Sequence, residues 1–126
     1  MLHHISFAVS NILKSSNFYD SCLEPLGYRR VFSSEKFIGY GIEDGNDMFA
    51  IAHRENSFQL PESGFHLAFL APSKKSVDDF FESAISSGGK DNGPPGLREN
   101  YGKGYYAAFV YDPDGYHIEA VYKVEE

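Results

Sequence analysis

The feature that most limits how this chain can fold is an internal repeat. Laying His66 on His4, a shift of 62 residues, brings Phe80 onto Phe18, Phe81 onto Tyr19 and Gly89 onto Gly27. A repeat of that length is one supersecondary unit, too small to bury a core alone, and two like units usually pair about a pseudo-twofold axis with a cleft between their sheets. In the first unit residues 3–9 alternate as a half-buried strand. Ser10 or Asn11 can cap a helix. Ile12, Tyr19, Leu23 and Leu26 lie near one face of it, and Gly27 stops it. Strands are predicted over 28–33, 37–42 and 48–53, with Asp44-Gly45-Asn46 turning between the last two. Residues 54–64 are polar, contain Pro61 and Gly64, and read as a linker.

The pattern then restarts. Residues 65–70 read as a strand. Ser73 caps a second helix with the apolar face Val77, Phe81, Ala84 and Ile85, and Gly88-Gly89 ends it. A long loop over 90–104 leads to a strand over 105–111, the turn Asp112-Pro113-Asp114-Gly115, and a strand over 116–124. The reading is one α+β domain over 1–126, with a first module over 1–56 and a second over 64–126.

Charge and cysteine content remove several classes of function. The net charge is −7 and no Lys/Arg stripe exists, which argues against a nucleic-acid partner. No apolar run approaches a membrane span. Met1-Leu2-His3-His4-Ile5 is not a signal segment, so a cytosolic protein is expected. Cys22 is the only cysteine; it rules out an internal disulfide and a Cys-based metal site, and is expected to be a small buried group on the first helix. Aromatic residues make up 16 %, enough to line a pocket as well as a core.

The residues that carry chemistry sit at related places in the repeat. His4 and His66 occupy equivalent positions at the first strand of each unit. Side chains alternate along a strand, so His4, Ser6 and Ala8 share one face and Ile5, Phe7 and Val9 the other. In the second unit His66, Ala68 and Leu70 share one face. The bulky face suits the helices and the face with the histidine suits a cleft. Glu119 sits in an apolar strand, Ile118-Glu119-Ala120-Val121, where a carboxylate is costly to bury unless paired or metal-bound. Two imidazoles and a carboxylate on one cleft make a facial triad with open positions for water or substrate. One divalent ion per site is implied, Fe, Mn, Ni, Co or Zn, acting as a Lewis acid on a carbonyl or enediolate oxygen. Taken singly, each histidine could be a structural hydrogen-bonding group and Glu119 a surface acid. Their repeat-related placement favours the joint reading. His3 is expected to point away from His4, His117 is a reserve ligand at the start of the last strand, and His53 can reach the cleft mouth.

The loop over 90–104 is longer than a compact domain normally tolerates without a use for it. Arg98 in its middle can clamp a substrate carboxylate or phosphate through its planar fork, or else pair with Glu99. Tyr101 and Tyr105 can supply a stacking wall and a hydroxyl donor. Gly93-Pro94-Pro95-Gly96 is not a phosphate loop, because its prolines lack N–H donors.

The ordered set His4-Ile5-Ser6-Phe7-Ala8-Val9, Phe18-Tyr19, Pro25-Leu26-Gly27, His66-Leu67-Ala68-Phe69, Tyr105 to Val110, Asp112-Pro113-Asp114-Gly115 and Ile118-Glu119 resembles the vicinal-oxygen-chelate superfamily, which includes glyoxalases, bleomycin-resistance proteins and extradiol dioxygenases. The resemblance spans almost the whole chain. It implies paired βαβββ modules curled round a cleft, with metal ligands His4, His66 and Glu119 and Glu119 as the catalytic acid or base. Arg98, Tyr101 and Tyr105 are the substrate-binding candidates. Lactoylglutathione lyase carries a further acid on the last strand of its first module, but Met48-Phe49-Ala50-Ile51-Ala52 has none. A three-ligand set is more like the fosfomycin-resistance thiol transferases or the extradiol dioxygenases. The resemblance therefore implies a metal-dependent lyase, isomerase or thiol transferase acting on a small oxygen-chelating molecule, with an Fe(II) dioxygenase or a sequestering binder as alternatives. It also implies a homodimer in which His4 comes from one subunit and His66 with Glu119 from the other.

Overall fold

Each unit lays one helix across one open sheet. In the computed structural model, which describes residues 1–61 and 64–124, the first unit runs β1 (Ile5–Val9), α1 (Ile12–Leu23), β2 (Arg29–Ser33), β3 (Phe37–Gly41) and β4 (Asp47–His53). Its sheet order is β1-β4-β3-β2, with β1 parallel to β4 and the other pairs antiparallel. The second unit runs β5 (Leu67–Leu70), α2 (Lys74–Ser86), β6 (Lys90–Asp91), β7 (Gly96–Leu97), β8 (Tyr105–Tyr111) and β9 (His117–Lys123). Its order is β5-β9-β8-β6, with β7 also on β8. The fold is α+β. Glu62 and Ser63 of the expected linker, and Glu125 and Glu126 at the end of the second module, lie outside the described residues.

The caps act where the sequence puts them. Asn11 accepts a hydrogen bond from the Lys14 N–H and Ser73 from the Ser76 N–H, each at 3.0 Å. The apolar faces differ in detail. On α2 the buried residues are Val77, Phe80 and Ala84, while Phe81 is only partly buried and Ile85 is exposed. The helix is turned because it packs against α1 as well as β8, and contact on two sides selects a different stripe from the one periodicity alone suggests. Cys22 is buried on α1 as expected, and burial pushes its thiol well up from the ordinary value.

The first part of the expected loop over 90–104, through Leu97, is instead an interrupted edge strand, and a single 3-10 turn over Glu99–Tyr101 follows. Asn92 donates to the Phe109 carbonyl, Phe109 to the Gly93 carbonyl, and Arg98 to the Tyr105 carbonyl. Together β6 and β7 take the place on β8 that β2 takes on β3. Two-residue strands carry no readable alternation, which is why this pairing was invisible to periodicity.

The repeat-related glycines do different work. Gly27 takes φ +94° with nothing near its missing side chain. In the second unit Gly88 takes the left-handed angle, φ +103°. Gly89 is there for space, because a Cβ would stand 2.6 Å from the Phe18 ring, 2.8 Å from the Ala84 carbonyl oxygen and 3.0 Å from that of Tyr111. Backbone oxygens cannot step aside. Gly89→Ala is expected to cost about 2–3 kcal/mol in urea unfolding and Gly27→Ala about 1 kcal/mol; equal costs would refute this reading of Gly89.

Candidate metal centre

The second sheet builds one face for chemistry. The turn after β8 sets the register Tyr111↔His117, Phe109↔Glu119, Ala107↔Val121 and Tyr105↔Lys123. Ala108, Val110, Ile118 and Ala120 point into the core, which leaves Tyr105, Phe109 and Glu119 on the opposite face. Ala68 flanks Glu119 on its other side. The small residue beside the acid leaves room above it.

Glu119 is 1 % exposed, on the face of the sheet turned away from the helices and core. Its Oε2 accepts the Tyr105 hydroxyl proton. Its Oε1 stands 2.8 Å from His66 Nε2 but accepts no hydrogen bond. A buried carboxylate oxygen without a hydrogen bond is unfavourable. Two donors of one cation, each at about 2.1 Å and near a right angle, stand about 3 Å apart. The observed separation fits two neighbouring ligand atoms. His66 Nε2 and Glu119 Oε1, two of the three residues expected to bind metal, thus lie side by side as an ion pair, and the half-exposed imidazole leaves one side open.

His4 is not with them. It precedes β1 as His66 precedes β5, and β1 and β5 are outer strands of different sheets. Among the described residues no set of three or more His, Cys, Asp or Glu side chains in this single chain is placed to hold a metal. Within one chain His4 does not join His66 and Glu119. His3 also departs from expectation. Both histidines lie ahead of the strand, so alternation does not separate them. Their Nδ1 atoms are 2.8 Å apart, and both line an apolar groove between β1 and β5. His117 is exposed, with its ring edge-on to Tyr111 at 4.6 Å. His53 ends β4, half-buried.

The expected substrate-binding residues gather over Phe109. The Arg98 guanidinium lies 5.4 Å from the centre of that ring and Tyr101 lies 6.3 Å from it. Tyr101 meets Tyr105 edge-on at 5.4 Å. Arg98 Nη2 donates to the Pro94 carbonyl at 2.6 Å, and side chains at Gly93 or Gly96 would crowd its nitrogens to 3.3 and 3.0 Å. The two glycines thus let the loop wrap the guanidinium, and Glu99 is not its partner among the described residues. Burial, then the bond to Glu119, raises the pKa of Tyr105, so it stays a donor.

Two residues of these faces escaped the sequence reading. Phe109, the ring at the centre of this cluster, was legible by counting outward from the turn. Asp47 was not. Strict alternation puts it with Phe49 and Ile51 towards the core, but a register shift between Tyr40 and Gly41 intervenes. The Asp47 side chain lies against Gly39, whose missing Cβ would stand 2.6 Å from its Cβ. Gly39 pairs with Ala50, and Ala50 with Ser6, so Asp47 is on the face of the first sheet turned away from the core.

The model of the glyoxalase/bleomycin resistance protein/dioxygenase superfamily matches residues 1–120. The chain belongs to this superfamily. The uncharacterized protein YqjT of Bacillus subtilis is 33 % identical over 132 residues, covering 95 % of this chain and 97 % of that one. A glyoxalase/bleomycin resistance protein from Albidiferax ferrireducens is 29 % identical with a TM-score of 0.81, covering 96 % of this chain and 97 % of that chain. A mutant of the fosfomycin resistance protein FosX from Listeria monocytogenes, complexed with Mn(II) and 1S,2S-dihydroxypropylphosphonic acid, shares the fold at 22 % identity, with a TM-score of 0.68 over 96 % of this chain and 88 % of that one. Superfamily membership agrees with the two-unit α+β architecture. No helix of the described residues is long and apolar enough to cross a membrane.

Proposed function

We propose that the chain is a divalent-metal-dependent enzyme of the glyoxalase type, a lyase, isomerase or thiol transferase, acting on a small molecule that chelates the ion through two adjacent oxygens. The observation that carries this reading is Glu119 Oε1, buried, 2.8 Å from His66 Nε2 and without a hydrogen bond. His66, Glu119 and His4 would hold the ion, which supplies Lewis-acid stabilisation of a developing oxyanion. Arg98, preorganised on Phe109, holds an anionic group of the substrate. Tyr101 and Phe109 form an apolar wall that keeps water from the reacting oxygens. Glu119, once displaced from the ion, would accept a substrate proton. The reading takes the protein to be cytosolic.

The site is proposed to be completed by a second copy of the chain, His4 of one copy joining His66 and Glu119 of the other. Two features support this. β1 and β5 are both outer strands with free edges. Around them Leu2, Leu70 and Met48 are 71, 69 and 50 % exposed, apolar surface that association would cover. Metal analysis of untagged protein is expected to give one Fe, Mn, Ni, Co or Zn ion per chain. His4→Ala and Glu119→Ala chains each bind none, and mixing them is expected to restore one site per mixed dimer. Absence of metal in the wild-type chain, even after adding each ion, would sink the enzyme reading in favour of a sequestering binder. No recovery on mixing would sink the shared site alone.

A further inference from the structure

We infer that Tyr105 is a positioning residue for Glu119, holding the carboxylate to one-oxygen ligation rather than offering its hydroxyl to substrate; this rests on the metal-site reading above. The two carboxylate oxygens have different environments. Oε2 accepts the hydrogen bond of the phenol O–H, while Oε1 is turned to His66 and accepts none. The ring is delivered by the sheet itself. Tyr105 and Glu119 are on one face but four register pairs apart, two of them on that face. Between them on that face lies Ala107, fully buried, whose methyl group leaves space for a ring to lean along the strand. Tyr101 meets the ring edge-on at 5.4 Å.

A free carboxylate can bind an ion through one oxygen or both. A hydrogen bond to one oxygen competes with two-oxygen binding and fixes the rotation about the last side-chain bond. Groups behind a ligand commonly change metal affinity by about 10–100-fold for this reason. Holding Glu119 to one oxygen also leaves one more coordination position for a substrate that needs two. The hydroxyl, already committed to Oε2, is not free to act as a substrate donor.

The test uses full-length protein and Mn(II) or Co(II) chloride. Tyr105→Phe keeps the ring and its packing while removing the hydroxyl. Metal affinity, by titration calorimetry, is expected to fall about 10-fold. The Co(II) d–d bands are expected to weaken as the coordination number rises, with the urea midpoint of metal-free protein moving little. Tyr111→Phe, the same deletion on the same face of β8, is expected to leave both affinity and spectrum as in the wild type. Wild-type affinity and spectrum in Tyr105→Phe would overturn the inference while leaving the metal site standing. A wild-type chain that binds neither ion would overturn both.

Discussion

Replacing Glu119 by glutamine is expected to move stability and metal affinity in opposite directions. The carboxylate is fully buried and its Oε1 accepts no hydrogen bond, meeting only the half-exposed His66 imidazole at 2.8 Å, an arrangement that costs metal-free protein about 1–2 kcal/mol. Glutamine has the same shape, still accepts the Tyr105 proton, and turns an amide N–H₂ toward His66. Metal-free Glu119→Gln is therefore expected to be more stable by about 1–2 kcal/mol in urea unfolding. The neutral amide is a poor ligand for a divalent ion, so affinity is expected to fall more than about 100-fold, or about 2.8 kcal/mol. A structural acid would behave the other way, losing stability on neutralisation. Retained affinity with a lowered urea midpoint would remove Glu119 from the site.

Asp112→Ala is expected to be the most destabilising single change, by about 3–5 kcal/mol. This carboxylate gathers the turn after β8, beside the backbone bonds from Asp112 N–H to Tyr116 and from Gly115 N–H to Asp112. Oδ1 accepts the N–H groups of Asp114, Gly115 and Tyr116, each at 2.9 Å, and Oδ2 accepts the Tyr19 hydroxyl at 2.6 Å. Asp112 is 3 % exposed, so truncation strands several donors away from water and unties the turn from α1. Burial, with the Asp112 charge beside it, raises the pKa of Tyr19 well above its ordinary value, so the phenol remains a donor. Tyr19→Phe removes one bond of the set and is expected to cost about 1–2 kcal/mol. Because the turn sets the register that faces Glu119 to Phe109, Asp112→Ala is also expected to weaken metal binding in whatever fraction stays folded. Urea unfolding followed by circular dichroism measures both costs; a loss below about 1 kcal/mol for Asp112→Ala would show that the backbone pairing holds the turn alone.

The Asp112 network shows where sequence reading stops short. Asp-Pro-Asp-Gly was legible as a turn from local chemistry, since aspartate, proline and glycine each favour turn angles. That its first aspartate reaches Tyr19, 93 residues away, was not, because no local pattern encodes a long-range hydrogen bond. The same division separates His66 from His4. Both were legible as repeat-related polar positions, and Glu119 as an acid too costly to bury without a purpose. Their grouping, His66 with Glu119 in one subunit and His4 in the other, came from the family resemblance and not from any local pattern. The structure brings His66 to Glu119 and leaves His4 beside His3. Asp47 shows a third limit: a single bulge reverses the face that alternation assigns.

The sequence by itself therefore determined the repeat, its strand–helix–strand order, the caps at Asn11 and Ser73 and the chemistry of the candidate ligands. Those depend on residues near one another in the chain and on periods of 2 and 3.6. Only the tertiary structure decided that α2 buries Phe80 rather than Phe81, that the segment after Gly89 is a broken edge strand on β8, and that Tyr105 is committed to Glu119. Each depends on what arrives from elsewhere in the chain, where packing and hydrogen-bond partners are chosen by proximity in space.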